Sequence, residues 1–248
     1  MTSLDDHVYV VRFGKMKVDV YDALTFTVEK CLQVSFGVSD IAACSRNICL
    51  YLSDSNDPSI HRVNLGRTKK WPVANYPHGL LVNANHNVLA ACLTEKKLQE
   101  YTTDGRLVRE ICLPAGSPQP WHAVQLSTGD YVVSHYESPG VVNVVAVDGR
   151  LLCSYQPSRS SDVGPMKYAR RLAVTKHDDV LVADEHNNRI LAINFFISGA
   201  KVFPVPDDLR LPCAMYLDDT RDRLYLGEMG GKNRLLVLNN ASCIPWQL

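Results

Sequence analysis

Val180-Leu181-Val182-Ala183-Asp184 is an apolar run of strand length closed by a carboxylate, and the chain repeats it. Val8-Tyr9-Val10-Val11-Arg12, Leu50-Tyr51-Leu52-Ser53-Asp54, Val88-Leu89-Ala90-Ala91-Cys92, Tyr131-Val132-Val133-Ser134-His135 and Leu224-Tyr225-Leu226-Gly227-Glu228 superpose on it. Their last residues, 12, 54, 92, 135, 184 and 228, are separated by 42, 38, 43, 49 and 44 positions. A unit of strands recurring at that interval marks a β-propeller. The sequence therefore predicts an all-β, six-bladed β-propeller with four-stranded blades, a single domain over 1–248. That architecture leaves the chemistry open, because propellers of one shape serve as binding platforms and as enzymes.

Composition narrows the function. Lys+Arg and Asp+Glu number 26 each, so the formal charge is zero and no global field draws the chain to nucleic acid or anionic lipid. The opening Met1-Thr2-Ser3-Leu4-Asp5-Asp6 lacks a basic start and an apolar segment, and no run of about 18 apolar residues occurs anywhere. A cytoplasmic or nuclear setting without membrane contact is expected. The cysteines at 31, 44, 49, 92, 112, 153, 213 and 243 show no pair at the two-residue interval of zinc ribbons and redox motifs. They read as buried small hydrophobes within strands.

Each unit divides into strands a to d. In the second, Ile41 to Cys44, Cys49 to Asp54, Ile60 to Leu65 and Thr68 to Val73 take these places; in the fifth, Arg171 to Val174, Val180 to Asp184, Ile190 to Asn194 and Lys201 to Val205 do. Asp104-Gly105 and Asp148-Gly149 predict two-residue hairpins between strands c and d. Asn85-His86-Asn87, Thr128-Gly129-Asp130, His177-Asp178-Asp179 and Thr220-Arg221-Asp222 supply a to b turns, and no stretch sustains a helical period. The first unit is expected to start at strand b, and the last to end after strand c (Arg234 to Asn239). Pro245-Trp246-Gln247-Leu248 echoes Pro120-Trp121-His122-Ala123, so the C-terminal tail is expected to add the innermost strand of the first blade. The ring would then be closed non-covalently by the termini.

Asp184-Glu185-His186-Asn187-Asn188-Arg189-Ile190-Leu191-Ala192-Ile193, preceded by its apolar strand, resembles an NHL repeat. Asp54 to Val63 with His61-Arg62-Val63, Glu228 to Leu238 with Asn233-Arg234-Leu235, and Pro77-His78-Gly79-Leu80 are weaker copies. Gly-His and Trp-Asp signatures of WD-type repeats are missing. The resemblance implies a binding module of the kind found in tripartite-motif NHL proteins. There it is the substrate-recognition domain of a ubiquitin ligase or scaffold, and its top face binds proteins or RNA stem-loops.

In such a propeller the d to a connections and b to c turns share the channel face. They place Ser39, His78, His122, Arg170 and Cys213 beside Arg12, Asp54, Cys92, His135, Asp184 and Glu228. With Trp121, these are the candidate binding surface for a protein or peptide, with no cofactor and no catalytic residue expected, in a monomeric domain. Arg170 and Asp184 are expected to pair across neighbouring strands, Asp54 and Asp184 to brace their b to c turns, and His122 and His135 to form a pH-sensitive pair. RNA is the alternative partner. Arg12, Lys15, Lys17, Lys96, Lys97, Lys232 and Arg234 would meet phosphates, with Tyr76 and Trp121 for stacking, against opposing Asp54, Asp57, Asp184, Glu185 and Glu228. A third reading compares His78 and His122 with the Pro-His motifs of an NHL-like lyase that cleaves peptidyl hydroxyglycine on zinc. Cys213 would have to complete that metal site, and Arg170 opposes it.

Overall fold

A computed structural model of the chain describes residues 1–64, 67–196, 199–230, 232 and 234–241. It divides into two compact units, Met1–Ala123 and Val124–Leu248, each taken in turn.

The first unit contains β1 (Thr2–Leu4), β2 (His7–Val11), β3 (Lys15–Asp22), β4 (Val28–Cys44), β5 (Cys49–Asp54), β6 (Ser59–Asn64) and β7 (Arg67–Pro72), hydrogen-bonded in chain order as one seven-stranded sheet. A four-stranded sheet follows, ordered β11-β10-β9-β8, from β8 (Pro77–Val82), β9 (Val88–Cys92), β10 (Lys97–Tyr101) and β11 (Leu107–Cys112). The division falls inside β12 (Pro120–Gln125), whose sheet runs on through β13 (Tyr131–His135), β14 (Val142–Val145) and β15 (Leu151–Tyr155). In the second unit, β16 (Ala169–Val174), β17 (Val180–Asp184), β18 (Arg189–Asn194) and β19 (Gly199–Phe203) form another four-stranded sheet. β20 (Pro212–Asp218), β21 (Arg223–Glu228) and β22 (Leu235–Asn239) form a three-stranded one. Among the described residues, helical geometry is confined to one short turn at Glu185–Asn187.

The described residues thus form five sheets where six separate four-stranded blades are expected. The cause is β4. Its first part pairs with β3 and its second with β5, with Val38 in both registers, so the first two strand groups share one 17-residue strand. The start of the chain also differs. Thr2, Ser3 and Leu4 pair with Tyr9, Val8 and His7, so β1 fills the position beside β2 that the C-terminal tail was expected to take. Residues 242–248, where that tail falls, lie outside the described residues.

β5, β9, β13 and β17 are buried at every position, as strands covered on both faces must be. Their side chains join neighbouring strands in separate cores: Tyr51 and Val88 with Ile60 and Trp71 in the first unit, Val132 and Val182 with Leu172 and Leu191 in the second. The cysteines divide by strand position. Cys44, Cys49 and Cys92 are buried, whereas Cys31, Cys112 and Cys153 are exposed rather than packed.

The c to d turns at Asp104-Gly105 and Asp148-Gly149 are longer than two residues. Gly105 N donates to Thr102 O and Thr102 N to Arg106 O, both at 2.9 Å, and Gly149 repeats the pattern on Ala146 at 2.9 Å. Only the glycine is left-handed, at φ +83° and +92°, and the partner strands shift register just beyond. This is a tight turn closed by a glycine bulge, in which Asp104 and Asp148 keep negative φ. The a to b turns use the same geometry, with His86, Gly129 and Asp178 as the left-handed residue.

Candidate functional site

Strands a begin with a repeated irregularity. Register slips between Val38 and Asp40, Pro77 and Gly79, Ala169 and Arg171, and Pro212 and Ala214. Ser39, His78, Arg170 and Cys213 are therefore bulged residues, outside the ladder and re-aimed by it. These are four of the five positions that the repeat singles out, so the sequence found them without revealing the bulge. His122, the fifth, is 8% exposed.

The ends of strands b carry a second repeated device, a carboxylate held by a base from strand c. Asp54 Oδ2 lies 3.4 Å from His61 Nε2, Asp184 Oδ2 2.8 Å from Arg189 Nε, and Glu228 Oε2 2.8 Å from Arg234 Nε. Main-chain N–H groups complete each cradle: Asn56 N donates to Asp54, Lys167 N to Asp184 and Arg210 N to Glu228 at 2.8 to 2.9 Å. The Arg234 guanidinium holds the Glu228 carboxyl below its ordinary range. All three carboxylates are buried, so each braces a turn, as expected for Asp54 and Asp184.

The expected Arg170–Asp184 pair does not form. The bulge at Arg170 places Ala169 opposite Asp184, and Arg170 reaches Glu185 instead. His135 is fully buried and accepts from Asn143 Nδ2 at 3.0 Å. Burial pushes the Cys92 thiol up to about 12, far from a thiolate at neutral pH, and also raises the Cys213 thiol. Ser59 Oγ and Asp54 Oδ2 both approach the same nitrogen of His61, at 3.4 Å each. A relay from nucleophile through imidazole to carboxylate needs both ring nitrogens, so this cluster is no catalytic triad.

Zinc does not fit. The His78 ring contacts Trp121, 4.5 Å away and tilted, and lies 6.2 Å from Phe13, nearly parallel to it. No group of three or more His, Cys, Asp or Glu poised for a metal occurs among the described residues. The basic residues proposed for RNA are largely matched by carboxylates. Arg12 and Lys17 reach Asp19, Lys97 reaches Glu95 and Glu110, and Lys232 and Arg234 reach Asp208. Lys15 and Lys96 are exposed.

The same turns also expose aromatic rings. Phe13, 59% exposed, heads the Phe13–His78–Trp121 stack of the first unit, and Tyr76 is exposed just before His78. In the second unit Tyr136, 54% exposed, meets Tyr168 at 5.8 Å, and Tyr168 meets His186 edge-on at 4.5 Å. Sequence reasoning picked out Tyr76 and Trp121 but missed Phe13, Tyr136 and Tyr168. Their signal was position: each directly follows a strand b or precedes a strand a.

Solved structures resemble the chain over nearly its full length. A protein of unknown function from Bacteroides caccae superposes with TM-score 0.74 at 16% identity, covering 98% of this chain and 93% of its own. A streptogramin B lyase gives 0.70 at 15% identity over 97% and 83%, and the WD40 β-propeller domain of Doa1 gives 0.68 at 9% over 95% and 77%. No protein-family model matches the chain, and no curated protein does. Such likeness shows the fold alone, and the fold is a β-propeller.

Proposed function

We propose that the chain is a non-enzymatic interaction module of six repeated units, which recognises a protein or peptide through the turns after strands b and the starts of strands a. One observation carries this reading. The carboxylates that end strands b, Asp54, Asp184 and Glu228, are tied up in buried pairs, while Phe13 and Tyr136 leave 59% and 54% of their surface uncovered. Large rigid rings that gain by leaving water are the usual anchors of protein recognition. In that role the chain would serve as the substrate-recognising or scaffolding part of a larger assembly, as the NHL resemblance implies.

Selection from a displayed peptide library, followed by titration of the enriched peptide, tests the proposal. Phe13→Ser or Tyr136→Ser, with thermal midpoints unchanged, should weaken binding by about tenfold. Equal binding by both variants, or enrichment only from an RNA pool, would overturn it.

A further inference from the structure

Strands β6 and β7 carry a feature that peptide recognition does not use. Their register opposes Ile60 to Trp71, Arg62 to Lys69 and Asn64 to Arg67. With side chains alternating, all six lie on one face of the sheet. Ile60 and Trp71 enter the core, and the next two rungs line an open cavity of about 650 Å³ together with Thr68.

Arg62 and Lys69 face one another directly, an arrangement that repels and destabilises a sheet unless something neutralises it. The fold offers little. Asp104, on the β10–β11 turn, lies 3.3 Å from Arg62 Nη1 and 4.0 Å from Lys69 Nζ, but it is 72% exposed and its charge is screened by water. No carboxylate among the described residues pairs with Arg67. Three cations thus converge on one cavity with a single solvated counter-charge.

We propose that this cavity binds the phosphate monoester of a small polar molecule. Two guanidinium forks and an ammonium match a dianionic, tetrahedral head better than a single carboxylate. β7 ends its sheet, so outward main-chain groups lie beside the same cavity. The volume exceeds what phosphate alone needs and falls within the range of small-ligand sites, leaving room for a body of sugar size. The proposal is independent of peptide recognition at the strand-a starts.

Isothermal titration with glucose 6-phosphate, inorganic phosphate, glucose and a hexaglutamate peptide at constant ionic strength tests it. Glucose 6-phosphate should bind saturably and more tightly than the other three. Arg67→Gln and Lys69→Met, both at exposed positions, should each weaken it about tenfold, while Arg159→Gln in the second unit leaves it unchanged. Absence of saturable binding, equal affinity for inorganic phosphate or for the peptide, or indifference to both substitutions would overturn the proposal.

Discussion

Asp184 and Arg189 close the turn between β17 and β18 with a 2.8 Å contact from Nε to Oδ2, and the carboxylate is wholly removed from water. It also accepts from Lys167 N at 2.9 Å and Asn187 Nδ2 at 2.7 Å. Removing one member of a buried pair strands the other. Asp184→Ala should therefore cost about 3 to 5 kcal/mol in urea unfolding, far more than truncating a surface ion pair such as Lys232–Asp208. A loss below about 1 kcal/mol would show that the cradle is not structural.

His61 gives a pH signature. Burial pushes its pKa below the ordinary 6.5, Lys70 acts in the same direction, and Asp54 and Asp57 oppose them. Above 6.5 the ring is neutral folded and unfolded, and there is no net effect. As pH falls below that value the unfolded chain takes up the proton first, so stability declines until the folded pKa is reached. The unfolding midpoint should drop between pH 7 and 5, and His61→Gln should flatten that part of the profile. A profile unaltered by the substitution would refute the assignment.

Gly79 marks the closest approach of backbones at the candidate site. A Cβ there would lie 2.6 Å from Trp121 O and 2.9 Å from His122 Cα, and neither atom can swing aside as a side chain would. Gly79→Ala should displace the start of β12, costing about 1 to 3 kcal/mol and altering Trp121 fluorescence. Gly105→Ala combines φ +83° with a contact of 2.5 Å to the Trp71 ring, and should destabilise at least as much without touching peptide binding.

Metal removal should do nothing. With His78 in contact with the Trp121 ring, dialysis against a chelator is expected to leave the thermal midpoint unchanged, and purified protein to carry well under one equivalent of zinc. Stoichiometric zinc lost together with stability would revive the lyase reading.

The buried strands b and the glycine turns were legible because period and turn chemistry are local. β1 was not: Thr2-Ser3-Leu4 is too short for any pattern, and only its pairing with Val8 and its neighbours defines it. The partner of Arg170 was misread for a related reason. A bulge shifts the pairing by one residue, and nothing in the identity of Arg170 announces it. Positions of the bulged residues emerged from aligning repeats, whereas the burial of Asp54, Asp184 and Glu228 depends on bases five to seven residues later and on main-chain donors, Asn56 N within the turn for Asp54 and Lys167 N and Arg210 N from preceding segments for the other two.

β4 leaves the junction of the first two repeats without a hinge. A protease needs slack chain, and 28–44 offers none while both neighbours are in place. Digestion should instead enter at the serine-rich exposed segment 158–162 and release a long N-terminal fragment that contains β3, β4 and β5 together.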